Sequence, residues 1–339
     1  MLSALRVIAG AALLLSSAGA TPQPYQPPRH TQPPPMIAVG TPLDINLRAD
    51  AGTQIERDRA PAGELEEHRK LDRALHALAP QRAGTVDAYV VSIALDSDPV
   101  FGREARVAGD VLARRYGAAG RVIVLAGTDG SGPSALPRGT PETLGIALAR
   151  IAELIDRRED VLVLYTTGHG TPVGLYYNDG DSGYGLISPN RLAVMLEQLG
   201  ISNRLLILSA CYSGVFLPRL QTASSVVVTA AARDRSSFGC VAENDWTFFG
   251  DALINHALRR PQPLPAAFAE ASNLLTGWEA RLRSMPSNPQ YYAGPQSAGW
   301  LAALDRRMPA VATAPVGRPA VDSTLAAGPV GKSASPKPR

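Results

Sequence analysis

Two cysteines in 339 residues cannot build a disulfide framework. A formal charge of +3, with no run of five or more Lys or Arg, offers little to a nucleic-acid backbone. Only one long apolar run occurs, at the amino terminus, so no later membrane span is expected. His30, His68, His76 and His256 lack a metal-ligand spacing such as His-Glu-x-x-His, and Gly127 to Gly132 lacks the Lys-Ser/Thr of a phosphate-cradling loop. Neither a metal nor a cofactor is therefore implied. No repeat of fixed period stands out. What remains, at 45% apolar content, is a chain able to bury one substantial core and carry extra segments besides.

The two ends differ from the middle. Arg6, the apolar stretch Val7 to Leu15 and the small residues Ala18-Gly19-Ala20 read as a secretory signal cut before Thr21, giving an exported protein, periplasmic or secreted. An uncleaved anchor is the alternative, but the stretch falls short of the ~20 residues that a spanning helix needs. Residues 21–60 are Pro-rich and polar and are expected to stay extended or disordered as a linker. A tail from 308 to 339, rich in Ala, Pro, Gly and Ser, is expected to be disordered too. Residues 61–307 then form the folded domain.

Within that domain, short apolar runs alternate with helical patterns. Val86–Leu95, Val122–Leu125, Val161–Tyr165, Leu205–Leu208 and Val226–Thr229 read as strands. Continuous apolar runs of this length suit a parallel sheet covered on both faces. Helices are expected near 63–79, 101–116, 140–155, 188–199, 247–258 and 265–283, with Thr140-Pro141 as a cap and first turn. Tyr176 to Gly185 is a polar, hairpin-like excursion. Strand, helix, strand order implies a doubly wound α/β sheet whose ligand crevice lies beyond the carboxyl ends of the strands.

Two of those strand ends carry chemistry. Val161–Tyr165 breaks into Thr166-Thr167-Gly168-His169-Gly170, and Leu205–Leu208 breaks into Ser209-Ala210-Cys211-Tyr212-Ser213-Gly214. A thiolate is a strong nucleophile, and an imidazole beside it can activate the thiol and protonate a leaving amine. Each residue alone is better read as structural, the thiol as a small core group and the imidazole as a satisfied polar side chain. Together on consecutive strand ends they suggest a catalytic pair. Asp96-Ser97-Asp98-Pro99 ends the first strand at the same edge. Gly180-Asp181-Ser182-Gly183 is only superficially like a serine-peptidase nucleophile loop, because the short antiparallel strands of that class are missing; turn chemistry explains it. A disulfide between Cys211 and Cys240 is a further possibility in an oxidising compartment.

The paired motifs, His-Gly after one strand and small-Ala-Cys-x-x-Gly after the next, resemble those of the caspase-like C13 cysteine peptidases, the group of legumain and the glycosylphosphatidylinositol transamidase. The resemblance runs from about Val86 to Leu258. Thr167-Gly168-His169-Gly170 is similar to the transamidase form, whereas legumains place Asp before the His. Ser236-Ser237-Phe238 and Asp245-Trp246 are similar to elements that follow the fifth strand of legumain. The resemblance implies a caspase-like three-layer sandwich with a mostly parallel sheet flanked by helices. It further implies Cys211 as nucleophile, His169 as general acid and base, and the amides of Gly170 and Cys211 as an oxyanion hole. Ser209, Ser237, Asp245 and Arg103 are the implied substrate pocket, with Ser209 standing where legumain has Glu. The expected activity is endopeptidase cleavage of peptide or protein substrates through a thioester, with an Asn-like preference before the cut bond. A transpeptidase or transamidase using the same acyl-enzyme, or a catalytically silent interaction module, are the alternatives.

Overall fold

A parallel strand with helices on both sides must be apolar on both faces, and the five central runs have that character. The computed structural model describes residues 25–32 and 40–322. In chain order its elements are α1 (Pro42–Ala51), β1 (Gln54–Glu56), α2 (Pro61–His76), β2 (Ala88–Ala94), α3 (Pro99–Arg115), β3 (Val122–Leu125) and α4 (Pro141–Leu154). There follow β4 (Val161–Thr167), β5 (Gly170–Thr171), β6 (Gly174–Asp179), β7 (Gly183–Ile187), α5 (Pro189–Gln198), β8 (Arg204–Ser209), α6 (Leu217–Leu220) and β9 (Ser225–Thr229). A π-helical stretch at Gly250–His256, then α7 (Leu264–Arg281), β10 (Gln290–Ala293) and α8 (Ser297–Asp305) complete them.

The main sheet has six strands in the order β10-β9-β8-β4-β2-β3. All neighbours are parallel except β10, which runs antiparallel to β9 at one edge. Side chains alternate between two cores. Val90, Val163, Tyr165, Leu205, Ile207, Val226 and Val228 face α3, the π-helical stretch, α7 and α8. Tyr89, Val91, Leu162, Leu164, Leu206, Leu208 and Val227 face α4, α5 and the end of α2. This is the expected three-layer sandwich. The polar excursion forms a second, four-stranded sheet, β1-β7-β6-β5, laid beside the carboxyl edge of the first. Among the described residues no helix is long and apolar enough to cross a membrane.

The flanks correct the sequence reading. The expected linker over 21–60 contains a helix and a strand. Thr41 caps α1 by accepting from the Asp44 amide while Asp44 accepts from the Thr41 amide, and β1 pairs with β7 from Gln54↔Gly185 to Glu56↔Gly183. Residues 25–32 are held as well: the Tyr25 hydroxyl lies 2.6 Å from Thr128 Oγ1, and Thr31 and Gln32 donate to Asp181. The reading of 1–20 as a signal lies outside the described residues. At the other end the tail does not leave the fold at 308. Trp246 Nε1 and Asn255 Nδ2 donate to the Val316 carbonyl at 2.9 and 3.0 Å, the Ala320 amide donates to buried Asp251, and Ala320 and Val321 are themselves buried. Ending the chain at Arg307 is therefore expected to lower the melting temperature by roughly 5–10 °C, since a buried Val contributes about 2 kcal/mol and the Asp251 carboxylate loses a donor. Differential scanning calorimetry of the two chains checks this; an unchanged melting temperature would show the docking to be energetically idle.

Candidate active site

β4 and β8 run in register with Thr167 opposite Ser209, and Gly168 N–H donates to Ser209 O at 3.3 Å. His169 and Cys211 each follow two residues later, so they leave the sheet at the same level on adjacent strands. The loops touch through their backbones. A Cβ at Gly170 would stand 2.0 Å from the Cys211 carbonyl oxygen, so only glycine permits this approach. After the thiol the chain turns sharply: Tyr212 has φ of 57°, left-handed for a residue with a side chain, and opens a short 3₁₀ turn over Ser213–Phe216. Such strain is held in place by Tyr212 N–H donating to Arg235 O at 2.8 Å and Gly214 N–H to Ala231 O at 2.9 Å.

Cys211 is half-buried. Its Sγ accepts from the Ser237 amide at 3.2 Å and donates to the Ser237 carbonyl at 3.4 Å. Among the described residues no hydrogen bond joins it to His169. Burial pushes the thiol above its ordinary value, against the opposing pull of the Ser237 and Ser236 donors. The His169 imidazole is 40% exposed and packs edge-on against Phe101, with ring centroids 5.1 Å apart. Partial burial holds its pKa below the usual imidazole value, with nearby His30 in the same sense and Asp98 opposing. Both groups are thus driven toward neutrality, and the resting pair is a thiol and an imidazole.

Two residues that spacing did not single out shape the site. Asp96, just beyond β2, is fully buried in its side chain and lies with Oδ2 4.0 Å from His169 Nε2. Its Oδ1 accepts from the Asp98 amide at 2.8 Å, while among the described residues Oδ2 takes no hydrogen bond of good geometry; burial lifts the carboxyl to about 7, with the Asp98 amide and the Asn178 side chain opposing. Glu104, on α3, is completely buried beneath the two strand ends. One carboxylate oxygen accepts from Tyr165 at 2.5 Å, Thr167 at 2.7 Å and Ser209 at 3.3 Å, and the other accepts from the Thr247 amide at 2.6 Å. A single carboxyl so ties β4, β8 and the start of the π-helical stretch to α3. The sequence signal for its burial is an acid set among the apolar Val100, Phe101, Ala105 and Ala108 of α3.

The expected pocket residues are distributed unevenly. Ser237 touches the sulfur through its backbone. Ser209 is buried, its hydroxyl turned to Glu104 and to Thr247 Oγ1 at 3.2 Å, under the edge instead of along a pocket wall. Arg103 and Asp245 come together at 3.4 Å. Arg103 also donates to the carbonyls of Ala242 and Asn244, and Asp245 accepts from the Arg318 amide of the docked tail at 2.8 Å. Both cysteines are free, and Cys240 packs beside Val100 and Phe101.

Residues 146–280 match the family model described as Peptidase C13 family. That segment is similar to the C13 family. It contains His169, Gly170, Ser209, Cys211, Ser237 and Asp245, and stops short of Asp96, Arg103 and Glu104 toward the amino terminus. No curated protein matches the chain in sequence. Among solved structures, caspase-1 from Spodoptera frugiperda is similar with a TM-score of 0.41 and 15% identity, over 61% of this chain and 85% of that one. The match supports a cysteine peptidase-like function in general.

Proposed function

We propose that the protein is a cysteine endopeptidase in which Cys211 attacks the peptide carbonyl and His169 moves the proton. The observation that carries this reading is the in-register exit of His169 and Cys211 from β4 and β8, with Gly170 pressed on the Cys211 backbone. Sγ leaves its Ser237 partners and forms the C–S bond while the neutral imidazole takes the thiol proton. The imidazolium then gives that proton to the amine as the C–N bond breaks. Water, deprotonated by the same imidazole, attacks the thioester and returns the thiol. The amides of Gly170 and Cys211, on the two touching loops, are the donors for the tetrahedral oxyanion, a contribution on the order of 3 kcal/mol for one such donor.

The pH dependence follows from the neutral resting pair. The base form of His169 is required, and its pKa lies below the ordinary ~6.5, so kcat/KM should hold steady down to about pH 6.5 and fall only below it. In a His169→Ala chain the alkylation rate of Cys211 should still be rising at pH 9. An acid limb above pH 7 would contradict the neutral pair.

For specificity, the adjacent donor and acceptor of Arg103 and Asp245 favour an amide side chain before the cut bond, Asn first, because an amide needs both. Fluorogenic peptides ending in Asn, Asp and Arg, assayed side by side and backed by mass spectrometry of a peptide library, test both parts. Turnover of no peptide in the library would overturn the endopeptidase reading. Fastest cleavage after Arg would leave that reading intact and remove the amide pocket.

A further inference from the structure

The segment 25–32 crosses the active edge and brings a histidine to a pair of aspartates more than sixty residues further along the chain. His30 Nε2 lies 3.4 Å from Asp98 Oδ1 and 3.2 Å from Ser97 Oγ. One ligand atom each from His30, Asp96 and Asp98 lie within 4.8 Å of one another. Tetrahedral ligands at about 2.0–2.2 Å from a zinc ion stand roughly 3.3–3.6 Å apart, so a small contraction closes the set. Acidic side chains near a surface often cluster with no ion among them. Here an independent feature stands beside the cluster: Asp96 is fully buried in its side chain, and among the described residues its Oδ2 takes no hydrogen bond of good geometry. A buried carboxylate oxygen without a donor is an expensive arrangement that a cation would relieve.

We propose that His30, Asp96 and Asp98 form a site for a divalent transition-metal ion of the zinc type. One imidazole and two carboxylates suit zinc better than calcium or magnesium, which prefer all-oxygen shells. The site also does something to the chain. Tyr25 is fixed at Thr128 on one side of His30, and Thr31 and Gln32 are fixed at Asp181 on the other, so a bound ion clips the segment 25–32 across the edge. It would sit beside the catalytic imidazole, since Asp96 Oδ2 is 4.0 Å from His169 Nε2. On the reading of His169 as the base, an ion held there narrows access to the imidazole from that side. His30 is separated from the two aspartates by more than sixty residues, which is why no spacing motif announced the set.

The test uses the full chain carrying Cys211→Ala, so that the thiol cannot bind zinc and so that the outcome does not depend on the peptidase reading. After dialysis against a chelator, zinc chloride is titrated by calorimetry and the bound metal counted by atomic absorption. One zinc per chain is expected, with a melting temperature raised by zinc. His30→Ala and Asp98→Asn, each added to that chain, should weaken binding at least tenfold and abolish the thermal shift while melting normally without metal. Absence of zinc uptake, or uptake unchanged in both variants, overturns the site.

Discussion

Cys211→Ala and His169→Ala are each expected to lower peptide turnover by roughly 10³-fold or more, and the double variant should be little worse than either single one, because a nucleophile and its base act as a unit. Cys240→Ala should stay within a few-fold of the parent. The two thiols differ in placement, not in redox partner. Cys211 stands at the end of β8 against Ser237, while Cys240 packs beside Val100 and Phe101 and is pushed well above the ordinary thiol value by burial. Iodoacetamide, followed by peptide mapping, should accordingly label Cys211 first. Full activity of Cys211→Ala would end the cysteine-peptidase assignment whatever the other results.

The parts legible in the sequence were those set by local pattern. Mostly apolar runs at 86–95, 161–165, 205–208 and 226–229 suit doubly covered strands, and the breaks into Gly-His-Gly and Ala-Cys-Tyr-Ser-Gly mark the edge at which the proposed site lies. The misread parts were those where composition and tertiary contact disagree. Pro-rich and Ala-rich stretches are poor at forming a core of their own, yet residues 25–32 and 308–322 need none, since they borrow partners from the domain: Thr128 and Asp181 for the first, Trp246, Asp251 and Asn255 for the second. Thr41-Pro42-Leu43-Asp44 does carry the local signal for α1, because a capping residue, a first-turn Pro and an acid three positions after the cap form a helix start. Asp96 was visible as part of an edge loop, but its burial against His169 was not, and His30 lay in a stretch that composition alone assigned to a linker.

Glu104 is where the sequence said least and the largest loss of stability is expected. Glu104→Ala removes the one acceptor shared by Tyr165, Thr167 and the Thr247 amide, all buried, and leaves a cavity under the ends of β4 and β8. Orphaned buried groups cost about 1–3 kcal/mol each, so the loss should reach at least roughly 4 kcal/mol in urea unfolding, enough to threaten folding altogether. Glu104→Gln keeps an amide oxygen for Tyr165 and Thr167 but sets its NH₂ against the Thr247 donor, so its cost should be smaller, near one such group. The pH dependence separates the two explanations of that cost. Burial raises the folded-state pKa of Glu104, so between the unfolded carboxyl's ordinary value and that raised value the folded state holds more protons and stability falls as pH rises. Gln carries no such penalty. The deficit of Glu104→Gln relative to the parent should therefore shrink between about pH 5 and pH 8, when both chains are unfolded in urea at each pH. A deficit that grows instead would mean that the ionised carboxylate, held by its four donors, is the favoured form and that burial does not dominate. Activity of the Gln variant should fall along with the rigidity of the β4 and β8 ends, through kcat more than KM, because Glu104 holds Thr167 and Ser209 in place and touches no substrate.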